Sequence, residues 1–176
     1  LAQFLNYIQK NYPAQVRKIF NFWDHGLAYL GVGQDTNAGN EDDFVTLKEL
    51  KEAFSSSGLK LDLVGFDACL MANLEVAKVM KDFASYMVAS EELEPGHGWN
   101  YTDVLPILAK VPQASTVDIG KRWVDSFIDN AEHAKLQKKY KTLSLIDLNR
   151  IDTAIKSLNQ LVSSLNLQAF DPLREP

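Results

Sequence analysis

The stretch Leu59-Lys60-Leu61-Asp62-Leu63-Val64-Gly65-Phe66-Asp67-Ala68-Cys69 decides the fold of this chain. Its first residues alternate apolar and polar, and then it turns continuously apolar, as a strand does on entering the buried interior of a sheet. Asp67, Ala68 and Cys69 follow where the strand must end. Upstream, Val16 to Trp23 (VRKIFNFW) is a second short run of β-formers, and it too ends on a polar group, Asp24-His25-Gly26. Downstream, Tyr86 to Ala89 and Thr142 to Ile146 read as further strands.

Between these runs the periodicity changes to that of helices. Leu1, Phe4, Leu5 and Ile8 mark a helix over residues 1–11, which Pro13 prevents from continuing. Thr46 with Glu49 three residues on has capping-box spacing and opens a helix to about Phe54. Further helices are expected over Asn73 to Phe83, 101–109, about 115–137 and Ile151 to Leu165, while Gly26 to Phe44, with four glycines, reads as a long connection. Strands alternating with helices define an α/β fold, a mostly parallel sheet with helices on both faces, and residues 1–176 are expected to form one domain. Ligands in such sheets bind beyond the carboxyl ends of the strands. The residues to search are therefore Asp24-His25-Gly26, Asp67-Ala68-Cys69 and Ser90-Glu91-Glu92.

Bulk properties narrow the function classes. The net charge is −5, with both signs spread along the chain, which argues against a nucleic-acid-binding face. No apolar run approaches the length of a membrane span. Cys69 is the single cysteine, so there is no internal disulfide framework. With only three widely separated histidines beside it, the common structural zinc ligand sets are also excluded, and no metal is assigned.

His25 and Cys69 end successive strands on either side of one crossover. If those strands are neighbours, their backbones lie about 4.8 Å apart and the two side chains can flank one substrate group. A thiol beside an imidazole is the minimal equipment for nucleophilic acyl transfer, the imidazole serving as base and later as acid. Gly26 admits close backbone approach, and its N–H with that of Cys69 forms a candidate oxyanion hole.

Trp23-Asp24-His25-Gly26 and Leu63-Val64-Gly65-Phe66-Asp67-Ala68-Cys69-Leu70-Met71 together resemble the clostripain family of cysteine peptidases. Val88-Ala89-Ser90-Glu91-Glu92-Leu93-Glu94-Pro95-Gly96 and Gly98-Trp99 look like the segment that follows the next strand in that family. The resemblance implies the three-layer, caspase-like fold shared with caspases, legumains and gingipains, and a Cys–His dyad with no obligatory third member. By position Cys69 is then the nucleophile, His25 the base, and the Gly26 and Cys69 amides the oxyanion hole. No cofactor is required.

Relatives of this family cleave after basic residues, so the resemblance also implies an acidic specificity pocket. Asp67, Glu91, His97 and Trp99 are the candidates to line it; Glu92 and Glu94 read equally well as solvated loop acids. His97 occupies a position where the family usually has an acid, which weakens the expectation of Arg or Lys selection. Relatives cut themselves after the catalytic histidine at a basic residue, but Gly26 to Phe44 contains no Lys or Arg; Lys135 to Lys141 offers other sites, though a solvated helix end is the plainer reading. The acidic stretch Asp35 to Asp43 reads as a mobile loop, with Ca2+ a lesser candidate because the spacing departs from an EF-hand.

The family has a strand before the first helix, and none is present here. The chain is therefore expected to be a piece of a longer precursor whose sheet is completed by an upstream chain or fragment. The resemblance favours a secreted or periplasmic setting and a peptide or protein substrate. The alternative from another class is a catalytically inactive caspase-like module that binds peptides or a partner.

Overall fold

The computed structural model describes residues 1–12, 17–35, 37, 43–111, 113–130 and 142–165. Among them, β1 (Ile19–Trp23), β4 (Leu61–Asp67), β5 (Ala84–Ala89) and β6 (Ser144–Asp147) form a sheet in the order β1-β4-β5-β6. β1, β4 and β5 run parallel, and β6 pairs antiparallel with β5. The strand built on the opening stretch is thus central, which is why it is apolar on both faces: Leu63, Val64, Phe66 and Asp67 are all buried.

Alternation along β4 sends successive side chains to opposite layers. Val64 and Phe66 join Leu5 of α1 (Ala2–Asn11), Leu50 and Phe54 of α2 (Leu47–Ser57), and Val76 and Met80 of α3 (Leu74–Met80). Ile151, which opens α6 (Ile151–Ser164), completes that side. Leu63 faces the other way, toward Val104 of α4 (Tyr101–Lys110) and Ile119, Trp123 and Phe127 of α5 (Thr116–Asp129). Helix, sheet, helix is the three-layer arrangement of the caspase-like fold.

Local chemistry sets the helix ends. Thr46 accepts from the Glu49 amide while its own amide donates to the Glu49 carboxylate at 2.9 Å, a reciprocal cap for α2. Gly58, at φ 63°, terminates the same helix in the left-handed region that a side chain disfavours. Ser115 and Asp118 repeat the capping box on α5.

The structure differs from the sequence reading in several places. Part of the connection from Gly26 to Phe44 is a hairpin, with β2 (Gly31–Gln34) antiparallel to β3 (Phe44–Thr46). Two glycines in four residues concealed β2, yet Gly31 is there for closeness: a Cβ on it would lie 2.1 Å from the Val45 carbonyl oxygen. β1 begins at Ile19, because Lys18 turns its amide to the Asp62 carboxylate at 2.7 Å and Arg17 reaches across to Thr116. The expected extension of α5 to residue 137, the basic stretch Lys135–Lys141 and most of the Asp35–Asp43 calcium candidate lie outside the described residues. On the far side β1 has no neighbouring strand among the described residues, so it is the sheet edge.

Phe66 is fully buried and stacks on Phe22 of the neighbouring strand, ring centroids 4.9 Å apart. Phe66→Ala is expected to lower the unfolding free energy by about 3–5 kcal/mol. Loss of the α2 cap in Thr46→Ala should cost only about 1 kcal/mol. Urea denaturation of both variants gives the comparison, and equal losses would contradict this assignment of the core.

Candidate active site

The register of β1 on β4 pairs Trp23 with Asp67. His25 and Cys69 each lie two residues beyond that pair, on neighbouring parallel strands, so both leave the same edge of the sheet. The ladder continues one step past it, the Asp24 amide donating to the Asp67 carbonyl at 3.3 Å. Asp24 also shapes its own turn, its carboxylate accepting from the amides of His25 and Gln34.

Gly26 sits at the point of closest approach. A Cβ placed on it would meet the Cys69 carbonyl oxygen at 1.9 Å and the Cys69 nitrogen at 2.9 Å, so the backbones of the two candidate catalytic segments touch. Gly26 is bridged to Val32 of the hairpin, and the bonds of this bridge run from Leu27 N to Gly31 O and from Gly33 N to His25 O. They bypass the Gly26 amide itself. β2, missed in the sequence, is therefore what holds the His25–Gly26 segment against Cys69.

Cys69 is held from the other side by the loop after β5. The Leu70 amide donates to the Glu92 carbonyl at 3.1 Å, and the Ala72 amide to the Ser90 carbonyl at 2.8 Å. Leu70 adopts φ 63°, a left-handed conformation that turns the chain sharply just past the cysteine. The Glu94 amide donates to Cys69 Sγ at 3.2 Å.

A cleft of about 370 Å³ opens at this edge, lined by His25 and Cys69, by Asp67 and Glu94, and by Trp23 and Leu93 at its rim. A larger groove, about 870 Å³, lies between the hairpin, α1 and α2, but holds neither His25 nor Cys69. Size does not locate the chemistry here.

Beneath the cleft is a polar network. Asp67, only 3% exposed, accepts from the Trp99 amide at 3.1 Å and from the Tyr101 hydroxyl at 2.9 Å. Asn21 Nδ2 donates in turn to the Tyr101 oxygen. Burial, with Asp67 alongside, pushes the Tyr101 hydroxyl well above its ordinary range, so it stays protonated and donates. The Glu94 carboxyl lies within hydrogen-bonding reach of Asp67 and accepts from Trp99 Nε1 at 3.0 Å. Burial first, and the Asp67 charge second, push Glu94 up to about 10. Gly98 makes room for this arrangement: at φ 66° its Cα faces the Asp67 carboxylate, which a Cβ would approach to 2.7 Å.

Of the residues singled out in the sequence, His25, Cys69 and Asp67 line the cleft together. Glu91 does not; it is exposed and accepts from the Ser144 hydroxyl beside β6. His97 is exposed and absent from the lining. Trp99 contributes from below, its ring packed on Trp123 in the core. Tyr101 and Asn21 escaped the sequence reading, and Glu94 stood there as either a pocket acid or a solvated loop acid. The signal for Glu94 was its spacing from Trp99 across Pro95-Gly96, where Gly98 N closes a turn on Pro95 O at 2.9 Å. Among the described residues no cluster of His, Cys, Asp and Glu could hold a metal ion, and no helix is long and apolar enough to cross a membrane.

These features belong to a known class of protein. The profile of the clostripain family matches residues 1–174, and the chain belongs to that family. No curated protein matches by sequence. Among solved structures, a secreted C11 cysteine protease from Bacteroides thetaiotaomicron, in complex with an irreversible peptide inhibitor, is 25% identical with a TM-score of 0.72. That match covers 93% of this chain and 49% of the other. An inactive zymogen C11 protease from Parabacteroides distasonis is 23% identical with a TM-score of 0.68, over 93% of this chain and 43% of the other. A clostripain from Bacteroides thetaiotaomicron in complex with a peptide inhibitor is 20% identical with a TM-score of 0.60, over 76% and 55%. The chain thus spans about half the length of these structures.

Gly26→Ala is expected to wedge the His25 segment away from Cys69 while leaving both helical layers packed. Labelling of Cys69 by a thiol-directed peptidyl inhibitor should fall at least about 100-fold, with the far-UV circular dichroism unchanged. Labelling at the wild-type rate would remove the contact from the argument.

Proposed function

We propose that the protein is a cysteine endopeptidase in which Cys69 is the nucleophile and His25 the general base. The observation that carries this reading is the Trp23–Asp67 register, with His25 and Cys69 two residues beyond it on one cleft. His25 takes the thiol proton, and the sulfur attacks the scissile carbonyl carbon. The resulting oxyanion accepts from the amides of Gly26 and Cys69, the donors that the backbone contact brings together. His25 then returns its proton to the leaving amine, leaving a thioester on Cys69. Water, deprotonated by His25, hydrolyses that ester and restores the thiol.

Substrate selection follows from what lies under the cleft. Asp67 is buried, oriented by Trp99 and Tyr101, and lines the same cavity as the nucleophile. A carboxylate so placed suits a guanidinium or ammonium side chain before the scissile bond, because both hydrogen bonds and charge are matched in a poorly hydrated site. Trp23 and Leu93, 72% and 54% exposed, offer apolar walls to the flanking peptide. The edge of β1 that has no neighbouring strand among the described residues suits a further strand from an upstream segment or partner. Secretion is the setting proposed, as for the relative described as secreted.

One contact favours an inactive form of this site, with the sulfur covered. The Glu94 amide donates to Sγ, so in this conformation the loop after β5 lies across the sulfur. Peptide entry then requires that loop to shift.

Cys69→Ala and His25→Ala are each expected to reduce turnover of peptides with arginine at the cleaved position by at least about 1000-fold. Asp67→Asn should instead erase the preference for arginine while retaining labelling by a small uncharged thiol reagent. A positional-scanning peptide library reads both effects. Retained turnover in Cys69→Ala, with peptides still bound, would leave the binding-module reading in its place.

A further inference from the structure

Among the described residues the cleft is lined by the carboxyls of Asp24, Asp67 and Glu94 and by His25, with neither lysine nor arginine beside them. Asp67 Oδ2 is satisfied by the Trp99 amide and the Tyr101 hydroxyl, and Glu94 Oε2 by the Trp99 indole. Glu94 Oε1 is buried and has no hydrogen-bond donor. Asp67 and Glu94 lie within hydrogen-bonding reach of each other, and one proton held between them satisfies the oxygen left over.

We propose that Glu94 is the second carboxyl of the specificity pocket, and that it shares one proton with Asp67 until a cationic substrate side chain enters and expels that proton to solvent. The inference rests on reading Asp67 as the acid that meets the substrate. In the exchange the Glu94 O–H bond breaks and the proton passes to bulk water. The guanidinium N–H groups then donate to both carboxylates. Asp67, Glu94 and the entering side chain together carry one net negative charge once it is bound, as the two acids do before, so a buried pair of bare carboxylates without a cation is never formed. An uncharged side chain that hydrogen-bonds, such as glutamine or citrulline, leaves the proton where it is.

Other groups face Glu94 and set its environment. Asp67 and Cys69 approach from the end of β4, Tyr101 from the first turn of α4, and Asp24 and His25 from across the cleft. His97 is on Glu94's own loop, outside the lining. The Asp67 carboxylate acts to retain the proton.

The consequence is a selectivity that depends on pH. Paired peptides differing only in arginine or citrulline before the scissile bond separate it from the dyad, whose ionisations cancel in their ratio. In the full-length protein, kcat/KM for arginine over citrulline is expected to rise with pH by about tenfold per unit from about pH 6 to 9, as one expelled proton requires. In Glu94→Gln the ratio should be flat over the same range. The wild-type profile alone decides the matter if that variant does not fold. A flat wild-type ratio that favours arginine throughout overturns the proton exchange and leaves Asp67 as the selecting acid. No preference for arginine at any pH, unaltered by Asp67→Asn, overturns the specificity reading and this inference with it.

Discussion

The contact between the Gly26 Cα and the Cys69 carbonyl is the constraint on which the rest of the site depends. Parallel pairing of β1 with β4 brings two strand ends to the same edge, but pairing alone leaves the segments beyond free to splay. The missing side chain of Gly26 lets the backbones close upon each other, and the hairpin of β2 and β3 holds that closure from behind. From the other flank the loop after β5 ties Leu70 and Ala72 by main-chain bonds. The candidate nucleophile is thus gripped by three backbone segments before any side chain is considered.

The parallel α/β plan and the juxtaposition of His25 with Cys69 were legible in the sequence because both rest on local signals. A strand buried on two faces must be apolar throughout, and Leu63 to Phe66 is. A residue that follows such a strand sits at the sheet edge whatever the details of packing. The capping box at Thr46 was likewise readable, since it involves only four consecutive residues.

What escaped the sequence was long-range or glycine-dependent. β2 has the composition of a loop; its identity comes from a partner strand that begins ten residues further on. Glu94 was ambiguous as a loop acid because its environment is assembled from β4, its own loop and α4, none of which announces the others. Asn21 in mid-strand is similar. Its amide reaches the Tyr101 hydroxyl only because Gly65 on β4 leaves space, a Cβ there falling 2.0 Å from Asn21 Oδ1. Conversely, Glu91 and His97 were drawn toward the pocket by proximity in sequence, while the turn through Pro95 and Gly98 leaves them outside it.

The two helical layers support different parts of the cleft. Ala68, Met71 and Val32, which back the nucleophile and the His25–Gly26 segment, pack in the layer of α1, α2, α3 and α6. Trp99 and Tyr101, which floor the pocket, pack in the layer of α4 and α5. The two sets meet at Glu94, whose carboxylate accepts from the Trp99 indole and whose amide donates to Cys69 Sγ. A repacking of α4 and α5 that moves Trp99 therefore reaches the nucleophile through one loop residue, so the taste of the pocket and the poise of its sulfur are mechanically joined.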